Sequence, residues 1–147
     1  MTVLLDTGPL GRVSNPKVTP INRQCHEWLM SMVRAGHVVL VPEIADYEVR
    51  RELLRLDKRP GLARLDEVKA TLGYLPLTTP IMLRAAPLWA QARRWGVPTA
   101  DPHGLDCDAI LAAQALEVDA TVATENAGHL ARFVDARHWR DIRVSEL

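Results

Sequence analysis

Short apolar runs alternate along the chain with longer stretches of helical periodicity, and this alternation is the feature that most restricts the fold. The runs at 3–5, 38–41 and 120–124 have the length and composition of buried strands. Between them, apolar residues recur every three or four positions, which is typical of amphipathic helices. Strands that alternate with helices predict an α/β fold with a mainly parallel central sheet.

Proline, glycine and capping residues set the predicted boundaries of the other elements. The Gly- and Pro-rich segments 7–20 and 97–105 are expected to be loops. Thr19 and Thr79, each followed by proline, are expected to cap helices. A helix from Glu43 to about Lys58 should end before Pro60-Gly61, and another should open at Asp106 or Asp108. Weaker apolar runs predict further strands at 74–77 and 142–144.

Size and composition exclude several classes of protein. With 147 residues and 48% hydrophobic content, the chain predicts a single globular domain over 1–147. No apolar run is long enough to span a bilayer, and the N-terminus lacks the basic segment of a signal peptide. The two cysteines form no disulfide framework, so we expect a cytoplasmic protein without a membrane partner.

The charge is zero overall but unevenly distributed. Residues 1–100 carry 14 Lys or Arg and 9 Asp or Glu, whereas residues 101–147 carry 4 and 9. The segment 50–64 alone holds six basic residues. One part of the chain could therefore meet a polyanion while another concentrates carboxylates, although a solvated helix face would explain the basic segment equally simply.

Acidic residues fall where the predicted sheet would bring them together. Asp6 ends the first strand, Asn126 follows the fourth predicted strand, and Glu48, Asp106 and Asp108 lie on helices that start near the same edge. Clustered carboxylates repel one another unless a proton or a cation neutralises them. Mg²⁺ or Mn²⁺ suits such oxygen ligands and would support hydrolysis of a phosphodiester bond.

Each of these residues also has a simpler explanation. Asp6 could cap the following turn, Glu48 could be a solvated acid, and Asp106, Asp108 and Asn126 could be capping residues. The four tryptophans at 28, 89, 95 and 139 are expected to belong to the core. Cys107 lies between two acids that disfavour its thiolate, so we do not expect it to be a nucleophile.

The segment 4–8, Leu-Leu-Asp-Thr-Gly, also matches the short signature of aspartic proteases. Those enzymes are all-β proteins that pair two such loops. This chain has one copy, followed by Pro9, and is largely helical by pattern. A protease is therefore the least favoured of the functional interpretations.

Taken together, these segments resemble the PIN-domain family, and the resemblance extends along the whole chain. The family pattern has an Asp-Thr pair after the first strand, here Asp6-Thr7, and an acid in the helix after the second strand, here Glu48. It has an Asp before an alanine-rich helix, here Asp108 in the segment 108–115. It then has a strand ending in T-x-D or T-x-N, here Thr124-Glu-Asn126, followed by His129 and Phe133.

The resemblance implies a three-layer α/β/α PIN-like fold and a Mg²⁺- or Mn²⁺-dependent ribonuclease, with features of the VapC-like bacterial toxins. Asp6 and Asp108 would bind metal, with Asp106 as an additional ligand, and Glu48 would help orient or deprotonate the attacking water. Asn126 stands where many relatives have a fourth acid. Thr7 and Thr124 would support the carboxylates through their hydroxyl groups.

The same resemblance implies partners. Arg50, Arg51 and Arg55 are candidate contacts to RNA phosphates. PIN proteins commonly form homodimers, and toxin members are inhibited by a small antitoxin protein. Because Asn126 supplies no charge, the alternative is a degenerate PIN module that binds RNA or protein without cleavage.

Overall fold

The computed structural model describes residues 1–96 and 102–145. Five parallel strands form one sheet in the order β3-β2-β1-β4-β5. The strands are β1 (Thr2–Leu5), β2 (Val38–Pro42), β3 (Tyr74–Leu75), β4 (Thr121–Thr124) and β5 (Ala136–His138). The prediction of a mainly parallel α/β fold is confirmed.

Seven α-helices lie in the described part of the chain. They are α1 (Thr7–Ser14), α2 (Pro20–Arg34), α3 (Glu43–Arg55), α4 (Arg59–Thr71), α5 (Thr79–Arg94), α6 (Pro102–Glu117) and α7 (Ala127–Leu130), and a 3-10 turn covers Trp139–Asp141. Within these residues, no helix is long and apolar enough to cross a membrane.

Alternate residues of the central strand face opposite layers. Val3 and Leu5 pack with side chains of α1, α2 and α4, whereas Leu4 packs with α6 and α7. Every one of these three residues is fully buried. Strands buried on both faces explain why β1 is a continuous apolar run rather than an alternating one, and the helices on the two faces complete the three-layer α/β/α arrangement.

The strand order places a switch in winding direction beside β1. The chain passes from β1 outward to β2 and β3, then returns to the other side of β1 as β4 and continues to β5. In parallel sheets, ligands bind outside the carboxyl ends of the strands where the direction reverses. Asp6 directly follows β1 and Thr124 ends β4, the two strands that meet at this point.

The segment 7–20 was expected to be a loop, but its first half is helix α1. The Asp6 side chain caps the helix by accepting a hydrogen bond from the Thr7 backbone N–H at 2.7 Å. Pro9 lies in the first turn, where backbone N–H groups have no partner within the helix. Leu10 and Val13 are buried in the core, and this burial outweighs the glycine and proline content.

Two other predicted boundaries were wrong, and a third was right with a different cause. Thr78, not Thr79, caps α5, because its hydroxyl accepts from the Ile81 N–H at 3.3 Å. Helix α3 ends before Pro60-Gly61, as predicted, but this pair lies in the first turn of α4, since proline fits the start of a helix. The last strand is β5 at Ala136–His138 instead of 142–144, because residues 122–124 of β4 pair with 136–138.

Helix α6 begins at Pro102, so neither Asp106 nor Asp108 opens it. Of the loop predicted at 97–105, residues 97–101 lie outside the described range and the remainder is helical. Trp139 is buried and Trp28 packs against the core, as expected. Trp89 and Trp95 do not belong to the core, since they are 41% and 51% exposed.

Candidate active site

Asp6 is the best-positioned acid of the predicted cluster. One carboxylate oxygen, Oδ1, accepts the Thr7 N–H, and the other, Oδ2, accepts a hydrogen bond from Thr124 Oγ1 at 2.8 Å. Burial raises the pKa of Asp6, the bonds from Thr124 and Thr7 oppose this rise, and the charge of Glu125 adds to it. Thr124 thus contacts this carboxylate through its hydroxyl, whereas Thr7 does so through its backbone N–H and, at 3.5 Å, through its hydroxyl.

Glu48 and Asp108 lie close enough to Asp6 for their charges to interact. Burial raises the pKa of Glu48, and the charge of Asp6 raises it further, while Arg51 and a hydrogen bond with Cys107 act in the opposite direction. Burial and the charges of Asp6 and Glu48 raise the pKa of Asp108 to about 7. The structure thus brings together three acids that are 42 and 60 residues apart in the sequence.

Asp106 and Asn126 occupy different positions relative to this trio. Asp106 lies two residues before Asp108 on α6, so it points to another side of the helix, and it is exposed. Asn126 precedes α7 and is exposed, and its backbone N–H donates to Thr124 Oγ1 at 3.0 Å. Thr124 therefore ties the Asn126 backbone to Asp6.

A divalent cation fits the chemistry of this donor set. Among residues 1–96 and 102–145, no group of three or more His, Cys, Asp or Glu side chains is arranged to hold a metal ion. Mg²⁺ does not need such a group, because it keeps several waters and is usually held by one or two carboxylates. Burial is the largest cause of the raised pKa values of Asp6, Glu48 and Asp108, and the charges of nearby carboxylates add to it; a bound cation would favour the charged forms.

Glu125 and Arg12 form an ion pair next to the carboxylate cluster, and the sequence did not predict this pair. Two Arg12 nitrogens contact the two carboxylate oxygens of Glu125, and Trp139 Nε1 donates to Glu125 Oε1 at 3.1 Å. Burial opposes ionisation of Glu125, but the bonds from Arg12 and Trp139 hold its pKa below the ordinary value. No local signal joins residues 113 positions apart, although Glu125 follows the strand-ending Thr124 directly.

Cys107 is a buried neighbour of Glu48 rather than a reactive thiol. Burial, together with the nearby charge of Glu48, raises the pKa of Cys107 to about 11. The expectation that it is not a nucleophile agrees with this environment. His129 lies on α7 with its ring Nδ1 buried and without a hydrogen-bond partner in the described structure.

The three arginines proposed for RNA contact have different partners. Arg50 pairs with Asp46 at 3.0 Å and with Asp66 at 2.7 Å, so its guanidinium is engaged within the protein. Arg55 pairs with Glu52 on the same helix. Arg51 is exposed, lies over the Tyr47 ring at 5.0 Å from the centroid, and is the one of the three that interacts electrostatically with Glu48.

A groove of about 810 Å³ extends from this site between α1 and α3. Thr7 and Glu48 lie at its end nearest the carboxylates, and apolar side chains of α3 and the turn after it, including Leu53 and Leu56, line its wall. The groove is open to solvent and continues past Lys17 on the opposite rim.

Comparison with known proteins identifies the family. The PIN domain model matches residues 3–135, and the chain therefore belongs to the PIN-domain family. PIN domains are generally nucleases, and PIN nucleases generally use divalent metals. A search of curated proteins gave no match.

Solved structures with the same fold come from three bacterial systems. VapBC2 from Rickettsia felis, bound to a DNA fragment from its promoter, is similar with a TM-score of 0.74 at 17% identity, covering 95% of this chain and 99% of that one. VapBC-1 from nontypeable Haemophilus influenzae has a TM-score of 0.70 at 13% identity, covering 96% and 100%. FitAcB from Neisseria gonorrhoeae has a TM-score of 0.69 at 20% identity, covering 95% and 99%.

Proposed function

We propose that this protein is a divalent-metal-dependent ribonuclease that hydrolyses RNA phosphodiester bonds and serves as the toxin of a toxin–antitoxin pair. The observation that carries the proposal is the convergence of Asp6, Glu48 and Asp108, each with a raised pKa, at the carboxyl edge of the sheet. Membership of the PIN family supports nuclease chemistry at this edge.

The surroundings of each residue suggest its role in the proposed reaction. Asp6, fixed by Thr7 and Thr124, and Asp108 would hold Mg²⁺ or Mn²⁺, which when bound polarises the phosphate and lowers the pKa of water. Glu48 would accept the proton of the attacking water, since a raised pKa makes its carboxylate a stronger base than an unperturbed glutamate. Asn126 would orient water or phosphate through its amide.

Asp106 and the arginines have peripheral roles in this proposal. Asp106 is exposed and would bind metal only through water. Arg51 lies beside Glu48 and is the best placed of the helix α3 arginines to contact a phosphate at the reaction centre. Arg50 and Arg55 would contribute only if RNA displaced Asp46, Asp66 or Glu52 from them.

The test is cleavage of a mixed single-stranded RNA with Mg²⁺, with Mn²⁺ and with chelator. We expect metal-dependent cleavage that falls by at least about a hundredfold in Asp6→Asn and Asp108→Asn, because each removes a charge that would hold the metal. Asp141→Asn, an exposed acid of the 3-10 turn, is the matched control and should cleave normally. Asp106→Asn decides whether that residue takes part.

The second candidate is a PIN module that binds RNA or protein without cleavage, favoured by the neutral Asn126 at the mouth of the site. Folded protein that binds RNA but cleaves none with either metal would establish it. Asn126→Asp would then be the informative variant, because it restores the acid that the family often has there.

An antitoxin partner is supported by the likeness to VapBC and FitAB complexes and by the groove that ends at Glu48. A partner segment seated in the groove would cover the carboxylates. Leu56, about half exposed on the groove wall, is the residue to change. We expect Leu56→Glu to weaken the complex with the antitoxin while the free protein still cleaves RNA.

A homodimer is the remaining part of the proposal. Helix α5 exposes Met82, Leu83 and Trp89, which a second copy could cover. Light scattering of the purified protein should give twice the chain mass, and Leu83→Glu should reduce it to that of a monomer.

A further inference from the structure

A second, smaller concavity of about 170 Å³ lies between α1 and α2 and is bordered by α4. Half of its ten lining residues are basic and none is acidic. The basic residues are Arg12, Lys17, Arg23, His26 and Arg64. They come from three helices and one loop, so this basic pocket is assembled by the fold rather than by a basic run in the sequence.

Three of these basic side chains have no anionic partner among the residues that the structure describes. Arg12 is occupied by Glu125 and by the Asn22 side chain. Across residues 1–96 and 102–145, no carboxylate lies within ion-pair distance of Lys17, Arg23 or Arg64, and all three side chains are exposed. Arg64 Nη2 instead donates to the Val13 carbonyl at 3.3 Å, which draws its guanidinium toward the pocket. Like charges held together repel, and an anion would remove that cost.

The basic pocket is continuous with the active-site groove. Asn15, Pro16 and Lys17 line both concavities, so a ligand can lie in one and reach the other. The far end of the groove is formed by Thr7 and Glu48. A single extended chain could therefore contact the carboxylates at one end and the cations at the other.

An RNA substrate needs a phosphate-binding site at a distance from the carboxylates. The carboxylates at the reaction centre repel phosphate until a cation is bound, and phosphate contacts supply most of the affinity of sequence-independent RNA binding. Arg50 and Arg55 on α3 are paired with acids of the protein. Lys17, Arg23 and Arg64, which are not ion-paired, lie in a concave surface and are therefore available to bind a phosphate.

We propose that the basic pocket binds a backbone phosphate of the RNA strand several nucleotides from the bond that is cut. Guanidinium groups suit this role because their fork of donors matches phosphate oxygens. The inference rests on the proposed ribonuclease function and specifies how its substrate is held. The pocket residues are binding residues and take no part in the chemical step.

Binding is measured with a fluorescein-labelled single-stranded RNA of mixed sequence, by anisotropy in Mg²⁺ over a series of salt concentrations. The parent carries Asp6→Asn so that the RNA stays intact. The test variant adds Arg23→Gln and Arg64→Gln, which are exposed changes and should not affect folding. The matched control adds Arg34→Gln and Arg143→Gln, two exposed arginines that line neither concavity and form no ion pair within residues 1–96 and 102–145, so it removes the same charge elsewhere.

The test variant should bind RNA roughly tenfold more weakly than the parent, and its log–log salt slope should be smaller by about 0.7 because one phosphate contact is lost. In the cleavage-competent protein the same pair should raise KM and leave kcat unchanged. The control should stay within about twofold of the parent.

Equal affinities and slopes for the test and control variants would overturn the inference. So would a test variant that keeps RNA affinity but loses binding to poly-glutamate, because the pocket would then serve an acidic peptide. A parent that binds no RNA would contradict the proposed function as well, whereas RNA cleavage with an unchanged KM in the variant would contradict the pocket alone.

Discussion

Thr124 Oγ1 donates a hydrogen bond to Asp6 Oδ2 at 2.8 Å across the two strands that meet where the sheet changes direction. Thr124 is fully buried, and its hydroxyl also accepts the Asn126 N–H. The hydroxyl thus fixes the rotation of the Asp6 carboxylate and the start of the loop that carries Asn126. One small side chain connects two residues that the proposed reaction needs.

The first prediction is that Thr124→Val lowers RNA cleavage by roughly tenfold or more at saturating RNA. The change keeps the volume but leaves Asp6 Oδ2 and the Asn126 N–H without a partner, which should cost about 1–3 kcal/mol of unfolding free energy. Cleavage rates and urea unfolding curves measure the two effects separately.

Thr121→Val is the matched control, because Thr121 lies on the same strand and donates to Asp135 Oδ2 at 2.9 Å. It should destabilise the protein but leave the cleavage rate of the folded fraction unchanged. Equal loss of activity in both variants would show that Thr124 acts only through stability.

The second prediction concerns two glycines of α1. A Cβ at Gly8 would lie 2.9 Å from Glu125 Cγ, and Glu125 is held by Arg12 and Trp139, so it has little freedom to move. Gly8→Ala should therefore destabilise the protein by about 1–3 kcal/mol, as overpacking does, and reduce cleavage because Glu125 adjoins Thr124 and Asn126.

Gly11 provides the opposite case on the same helix, since among the described residues no atom beyond its chain neighbours and its own helix backbone lies within 4 Å of an added Cβ. Gly11→Ala should stabilise the protein by about 0.5–1 kcal/mol by favouring the helix. Thermal denaturation of both variants checks the pair. A neutral or stabilising Gly8→Ala would show that Glu125 moves aside freely.

The third prediction is that the metal-free protein loses stability as the pH rises. The pKa of Asp108 is about 7 in the folded protein against 3.8 for an unperturbed group, so between these values the folded chain binds a proton that the unfolded chain has released. Stability therefore falls with rising pH through this window. The raised pKa values of Asp6 and Glu48 act in the same direction.

Asp108→Asn removes this contribution. In chelator, the melting temperature of the variant relative to the parent should increase from pH 5 to about pH 8, and Mg²⁺ should reduce the difference by stabilising the parent. Asp141→Asn should show no such trend. A difference independent of both pH and metal would mean that Asp108 is not held in an acidic cluster.

The carboxylate cluster could be predicted from the sequence because its members stand at recognisable local positions. Asp6 ends an apolar run, Glu48 follows a strand on a helix, and Asp108 precedes alanines. These three acids then come together if the strands are parallel and β1 is central in the sheet. Whether they bind metal stays a prediction.

Features that depend on distant contacts could not be predicted. Helix α1 forms against its own propensity because Leu10 and Val13 are buried by other elements. The three-residue strand β5 has no apolar run and exists through pairing with β4. The partner of Arg12 and one partner of Arg50 are 113 and 16 residues away in the sequence, so nothing local distinguishes these arginines from free ones.

The parallel pairing of β1 with β4 has a consequence during synthesis of the protein. Asp6 leaves the ribosome before its partner Thr124, which follows 118 residues later. A nascent chain that lacks β4 has neither the bond that orients Asp6 nor the strand beside it. The cluster is thus completed only after β4 has been translated, so under the proposed function a growing polypeptide that lacks β4 would also lack the complete site for RNA cleavage.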